Sequence, residues 1–262
     1  MSKYIYLLLI AVLFVGQISY TQVVSAHDLV PTAVSKYIEN NPNATAEEIR
    51  SVVTSVAGSA KRLVEASNPE TDILTFVTTF ILLGIEHILS GIDHVLFILA
   101  LILTAYSIRQ VSRLSIAFTV AHSITFILAG TTALTLSSRI VEPLIAFSIA
   151  VVALLGLSNK YKNSGTNVWY SLVVIFVFGL FHGLGFAGLL QDLQLPEDNF
   201  MWSLILFNVG IELGQIIIII PVFLLLLRIR RLVSWPEIHT ITAYCIASIG
   251  IIWCIQRIFY IV

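Results

Sequence analysis

Charge is scarce in this chain. Of its 262 residues only 11% are charged and 58% are hydrophobic, where a soluble domain carries about 25% charged residues. A large water-soluble catalytic domain is therefore excluded. The formal net charge is -1, so no basic face exists to follow a phosphate backbone, which excludes nucleic acid as a partner. The absence of a glycine-rich phosphate loop excludes a nucleotide site, so any transport is secondary or depends on a partner. Cysteine is nearly missing: Cys245 and Cys254 are the two present. They stand in one apolar stretch, about 13 Å apart along a helix, too far to bridge each other. Neither a disulfide framework nor a thiolate metal site forms within one chain.

What the chain has in quantity is apolar length. At about 20 residues per crossing, it is expected to be an all-α polytopic membrane protein, a bundle of about six to seven transmembrane helices over residues 73–262. Residues 1–26 have a cationic start at Lys3, an apolar run from Tyr4 to Val15 and small residues at Ser25 and Ala26, the pattern of a secretory signal peptide. Residues 27–72 are polar and mixed in charge. There Thr45-Ala46-Glu47-Glu48 has capping-box spacing, and Ile49, Val52, Val53, Val56, Ala60, Leu63 and Val64 recur at helical intervals. This predicts a short extracytoplasmic amphipathic helical segment, too small to bury a core alone.

Apolar segments follow near 73–107, 114–132, 140–157, 168–190, 201–227 and 238–260. Their connections alternate in charge: Arg109 and Arg113, then Arg139 alone, then Lys160 and Lys162, then acidic Asp192, Glu197 and Asp198, then Arg228, Arg230 and Arg231. The positive-inside rule places the loops near 110, 161 and 230 in the cytoplasm and those near 136 and 195 outside. A secreted residue 72 and a cytoplasmic residue 109 permit only an odd number of crossings between them. About 35 residues in one helix would run about 50 Å, beyond a hydrocarbon core of about 30 Å. A break at Ser90-Gly91 is therefore expected, with 92–107 spanning and 73–89 at the outer interface, re-entrant or extending the bundle outward. A conventional seventh crossing is the alternative.

Ionisable groups at bilayer depth cost several kcal/mol unless paired or wet, and each is a functional candidate. They are Glu86, His87, Asp93, His94, His122, Glu142, His182, Glu212 and Arg257. One intramembrane histidine is ordinarily a hydrogen bond between helices; four, accompanied by carboxylates, point to a metal. Most map to the outer half of their segments, with His122 deeper. Asn208, Glu212 and Gln215 stand at i, i+4 and i+7 and line one stripe, expected to face a cavity in the outer half of the bilayer floored near His122. Gly179 and Gly183, and Gly210 and Gly214, have small-xxx-small spacing that lets helices approach closely. Imidazole and carboxylate without thiolate suit nickel, cobalt, zinc, iron or manganese. Glu86, Ser123, Glu142, Asn208, Gln215 and Arg257 are supporting candidates, with Arg257 expected to pair with Glu142 or Glu212 or to anchor at the interface.

At these residues the sequence resembles the HupE/UreJ family of bacterial membrane proteins. The resemblance is carried by His87-Ile88-Leu89-Ser90-Gly91-Ile92-Asp93-His94, which fits that family's H-x5-D-H element. It continues through Phe118-Thr119-Val120-Ala121-His122-Ser123, Val141-Glu142-Pro143, Phe178 to Ala187, and Phe207-Asn208-Val209-Gly210-Ile211-Glu212-Leu213-Gly214-Gln215. It implies uptake of a divalent metal, nickel or cobalt, in the bacterial cytoplasmic (inner) membrane, with His87, Asp93 and His94 in metal recognition and His182 in the second histidine element. One departure places the chain in a divergent branch: after Phe181-His182-Gly183 come Leu184-Gly185-Phe186-Ala187, without the second histidine or the glutamate of the permease motif.

The leading expectation is thus a permease taking a divalent transition-metal ion through an intramembrane site of His87, Asp93, His94, His122, His182 and Glu212, open to the extracytoplasmic side. The alternatives are an intramembrane zinc-dependent hydrolase acting on a lipid or membrane peptide, with Asp93, Glu142 or Glu212 as base, and a metal-binding accessory protein. The partners are the lipid bilayer and the metal ion; a homo-oligomer is compatible with either role.

Overall fold

The computed structural model describes residues 72–105, 107–132, 136–161, 167–185, 197–230 and 235–260, and these are all-helical. The expected signal peptide at 1–26 and the amphipathic helix before Asp72 lie outside the described residues. Among the described residues seven helices follow one another: α1 (Ile73–Ser90), α2 (Ile92–Thr104), α3 (Ile108–Thr132), α4 (Ser138–Tyr161), α5 (Asn167–Gly185), α6 (Glu197–Ile229) and α7 (Trp235–Tyr260). Six of them, α1 and α3 to α7, are long and apolar enough to cross a bilayer. α2 has 13 residues, about 20 Å, and falls short of a core of about 30 Å.

Side-chain pairings give the sense of each helix. His94 and Phe97 of α2 meet His122 and Phe118 of α3, so these two helices are antiparallel. Ser115, Thr119 and Ser123 of α3 meet Gln215, Glu212 and Asn208 of α6, again antiparallel. Along α1, Ile81 and Gly84 lie against Gly210, while Ile85 and Ile88 lie against Gly214, so α1 runs parallel to α6. It follows that α1, α2 and α6 all point the same way.

The segment 73–104 therefore keeps one direction along the bundle and is broken at Gly91, where the break was expected. Gly91 is extended at φ -77° and ψ 97°, which ends one helix and starts the next. The division of labour differs from the expectation that 92–107 alone would span. α2 stops at Thr104 because Ala105 is extended. α1 seats closely along α6 because Gly84 and Gly210 leave no side chain between the two backbones: a Cβ on Gly84 would meet the Phe207 carbonyl oxygen, and one on Gly210 the Ile81 carbonyl oxygen.

Helices in a bilayer gain little from hiding apolar surface from one another, because lipid is equally apolar; close van der Waals packing at small residues holds them instead. The expected pairs do this: Gly179 meets Phe118 and Ala121, and Gly183 meets His122 and Thr125, joining α5 to α3. Gly250 similarly seats α7 on Ala146 and Ala150 of α4. Outward, Ile216, Ile217, Ile220, Leu224 and Leu225 of α6 and Ile251, Ile252, Ile255 and Phe259 of α7 are exposed, an apolar exterior that suits a lipid bilayer. His239 is buried, 5% exposed, and its Nε2 donates to the Leu103 carbonyl at 2.9 Å, tying the start of α7 to the end of α2.

Candidate metal centre

The break at Gly91 folds the last turn of α1 over the first turn of α2. His87 and His94, seven residues apart, thereby come to 4.6 Å between ring centroids. His122, from the middle of α3, stands 6.1 Å from His87 and 6.5 Å from His94. All three are buried, and one ring nitrogen from each lies within 4.8 Å of the other two. Tetrahedral ligation with bonds of about 2.1 Å needs nitrogens about 3.4 Å apart, somewhat closer than the 4.8 Å limit within which these lie. Three imidazoles without thiolate form a donor set for a borderline divalent ion.

His182 adjoins the group from the last turn of α5, 5.4 Å from His94 between ring centroids. Its ring leans on Phe97 and Phe118, each at 5.0 Å. Ser148 orients it. The Ser148 hydroxyl has one proton, directed to the Ile145 carbonyl at 2.6 Å, so His182 Nε2, 3.0 Å from Ser148 Oγ, is the donor of that pair. This tautomer leaves Nδ1 as the nitrogen with a lone pair for ligation. Further phenylalanines wall the histidines: Phe207 is 5.5 Å from His87, and Phe126 is 5.8 Å from His122. Such walls limit water access and lower the local dielectric, which strengthens binding of an ion to imidazole.

Asp93 goes elsewhere. Adjacent residues of a helix point about 100° apart, so with His94 turned to the other histidines Asp93 faces α7. Arg257 Nη2 donates to both of its carboxylate oxygens at 3.0 and 2.9 Å, and Arg257 Nη1 donates to the main-chain carbonyl of Glu142 at 3.2 Å. Arg257 thus pairs with Asp93, not with the carboxylate of Glu142 or Glu212 as expected, because α7 packs along α4 and touches α2, and its last turn faces the start of both. The guanidinium also lies 5.7 Å over the ring of Trp253. Glu86 is exposed on α1, and its carbonyl accepts the Ser90 hydroxyl at 2.5 Å.

Glu212 also stands outside the histidine group. The stripe of Asn208, Glu212 and Gln215 faces α3, where Ser123, Thr119 and Ser115 meet it turn by turn. The Thr119 hydroxyl donates to Glu212 Oε2 at 2.8 Å, Gln215 Nε2 donates to Thr119 Oγ1 at 3.1 Å, and Ser115 Oγ donates to Gln215 Oε1. Ser123 Oγ is 2.6 Å from Asn208 Oδ1. Of the expected ligands, the structure gathers His87, His94 and His122, with His182 beside them, and places Asp93 and Glu212 in separate polar contacts. Sequence reasoning missed Thr119 and Ser115; their signal was the i, i+4, i+8 spacing with Ser123 on one face of α3.

A family model described as HupE / UreJ protein matches residues 63–257, a span that includes the histidine group, the Asp93–Arg257 pair and the α3–α6 polar contacts. Comparison with curated proteins and with solved structures finds no match. The match extends over well more than half of the chain, and the chain belongs to the HupE/UreJ family of membrane proteins.

Proposed function

We propose that this protein is a permease that takes up a divalent transition-metal ion of the nickel or cobalt type from the extracytoplasmic side. The observation that carries this is the convergence of His87, His94 and His122 from three helices, with ligand atoms within 4.8 Å of one another, in a bundle whose family handles metals. The positive-inside rule puts the end bearing Arg109, Arg113 and Arg228 in the cytoplasm. His94 is then near the outer start of α2 and His182 near the outer end of α5, so the ion enters from outside.

Each step follows from the residues present. A hydrated ion exchanges water for neutral imidazoles, which hold it without adding charge to the bilayer interior. The hydrogen bond to Ser148 keeps His182 turned toward it. His87 and His94 ride on helices joined only by Gly91, so a small change of angle there alters their separation and with it the grip on the ion. A hydrolase also needs a general base beside the metal; two of the candidates, Asp93 and Glu212, are engaged by Arg257 and Thr119, which favours transport.

The test is uptake of Ni2+, Co2+ and Zn2+ by proteoliposomes holding the purified full chain, with metal content measured in parallel. Uptake of at least one ion is expected, with a loss of about tenfold or more in His87→Ala, His94→Ala and His122→Ala. Uptake that survives the double change of His94 and His182 overturns the site. Tightly held zinc with no uptake of any ion overturns the permease and favours the hydrolase or the accessory protein.

A further inference from the structure

We infer that the α3–α6 seam is a second, oxygen-rich station for the divalent ion, through which it leaves the histidines toward the basic end of the bundle. The inference rests on the permease role proposed above.

Thr119 is one turn nearer the basic end of α3 than His122, about 4.5 Å along the axis and about 60° around it. Ser115 lies about 10 Å below His122 on almost the same line, and about 10 Å from the start of α3 at Ile108. From α6, Asn208, Glu212 and Gln215 descend in step with Ser123, Thr119 and Ser115. Six polar side chains on three successive turns therefore lead from the histidine level toward the basic end, between two helices whose outer faces are apolar.

The charges distinguish this seam from ordinary glue between helices. The fold supplies Asp93 with a permanent cation, Arg257. For Glu212 it supplies a hydroxyl donor, Thr119, and among the described residues no basic side chain pairs with it. A carboxylate inside a bundle is costly without a countercharge, and a mobile cation passing along the seam provides one. The oxygens available are carboxylate, amide and hydroxyl, a harder donor set than the imidazoles and a weaker one for nickel, cobalt or zinc. A tight site followed by a weaker one permits release, since conduction requires binding that the ion can leave.

Cobalt(II) titration of the full chain in detergent tests this, because a four-coordinate site built on the histidines gives a strong visible absorption and a six-coordinate, oxygen-rich site a weak one. The wild type should bind two equivalents, one tight and coloured, one weaker. Glu212→Gln should retain the coloured equivalent, lose the weaker one, and lower the initial rate of Co2+ uptake in proteoliposomes by about tenfold or more. Gln215→Met should do the same. Only one equivalent in the wild type, or a second equivalent that persists in both variants, overturns the station. Loss of the coloured equivalent in both variants assigns Glu212 and Gln215 to the histidine site and overturns it as well. If the wild type takes up no ion, the permease role fails, and the station is decided by the second equivalent alone.

Discussion

Gly91 lies beneath the ring of His94: a Cβ added to it would stand 2.5 Å from His94 Nδ1 and 3.0 Å from the His87 carbonyl oxygen. Its backbone angles are open to any residue, so space, not conformation, requires glycine here. Gly91→Ala should push the His94 ring away from His87 and His122. Metal affinity is expected to fall about 10- to 100-fold, measured by cobalt titration, while far-ultraviolet circular dichroism stays unchanged. Unaltered affinity would remove His94 from the site.

Ser148→Ala removes the acceptor of the His182 Nε2 proton and frees the ring to turn or change tautomer. Affinity should fall by about tenfold, the lower range for a residue that orients a ligand. Stability should fall by about 1–3 kcal/mol from the buried donor left without an acceptor. If His182 has no part in binding, thermal unfolding will shift and the titration will not.

The Asp93–Arg257 pair should be a structural lock between α2 and α7. Their side chains are 24% and 10% exposed, so removing one leaves a partly buried charge, at a cost of up to about 3–5 kcal/mol. Arg257→Gln and Asp93→Asn should each lower the unfolding temperature in detergent. The double variant should recover part of the loss, because neither charge is then stranded. Additive losses would show that the two residues act independently.

Gly84→Val and Gly210→Val should force α1 off α6 and carry His87 with it. Both variants are expected to lose the tight metal equivalent and to fold in lower yield. Leu82→Val, on the same helix at 47% exposure, serves as the control and should bind metal normally. Normal binding in Gly84→Val would show that α1 does not need its seat on α6 to present His87.

Much of this was legible in the residues. The apolar segments became helices near their expected bounds, the break fell at Gly91, and the four histidines lie close together, His122 beside His87 and His94 where a deeper position was expected. Gly179, Gly183, Gly210 and Gly214 announced close approaches by their spacing. Gly84 and Gly250 did not, because a lone glycine in an apolar run carries no sign of what it faces. The length of α2 was also hidden, since apolar composition runs past Thr104 and only the extended Ala105 ends the helix.

Periodicity alone determines which residues of one helix share a face: Asn208, Glu212 and Gln215 had to project together. It does not determine which neighbour each face meets. That azimuth depends on how helices rotate to bring their small residues into contact, a matter of packing across segments distant in the chain. Tertiary structure therefore decided that His94 meets His87 and His122, that Asp93 meets Arg257, and that the Glu212 stripe meets the hydroxyls of α3.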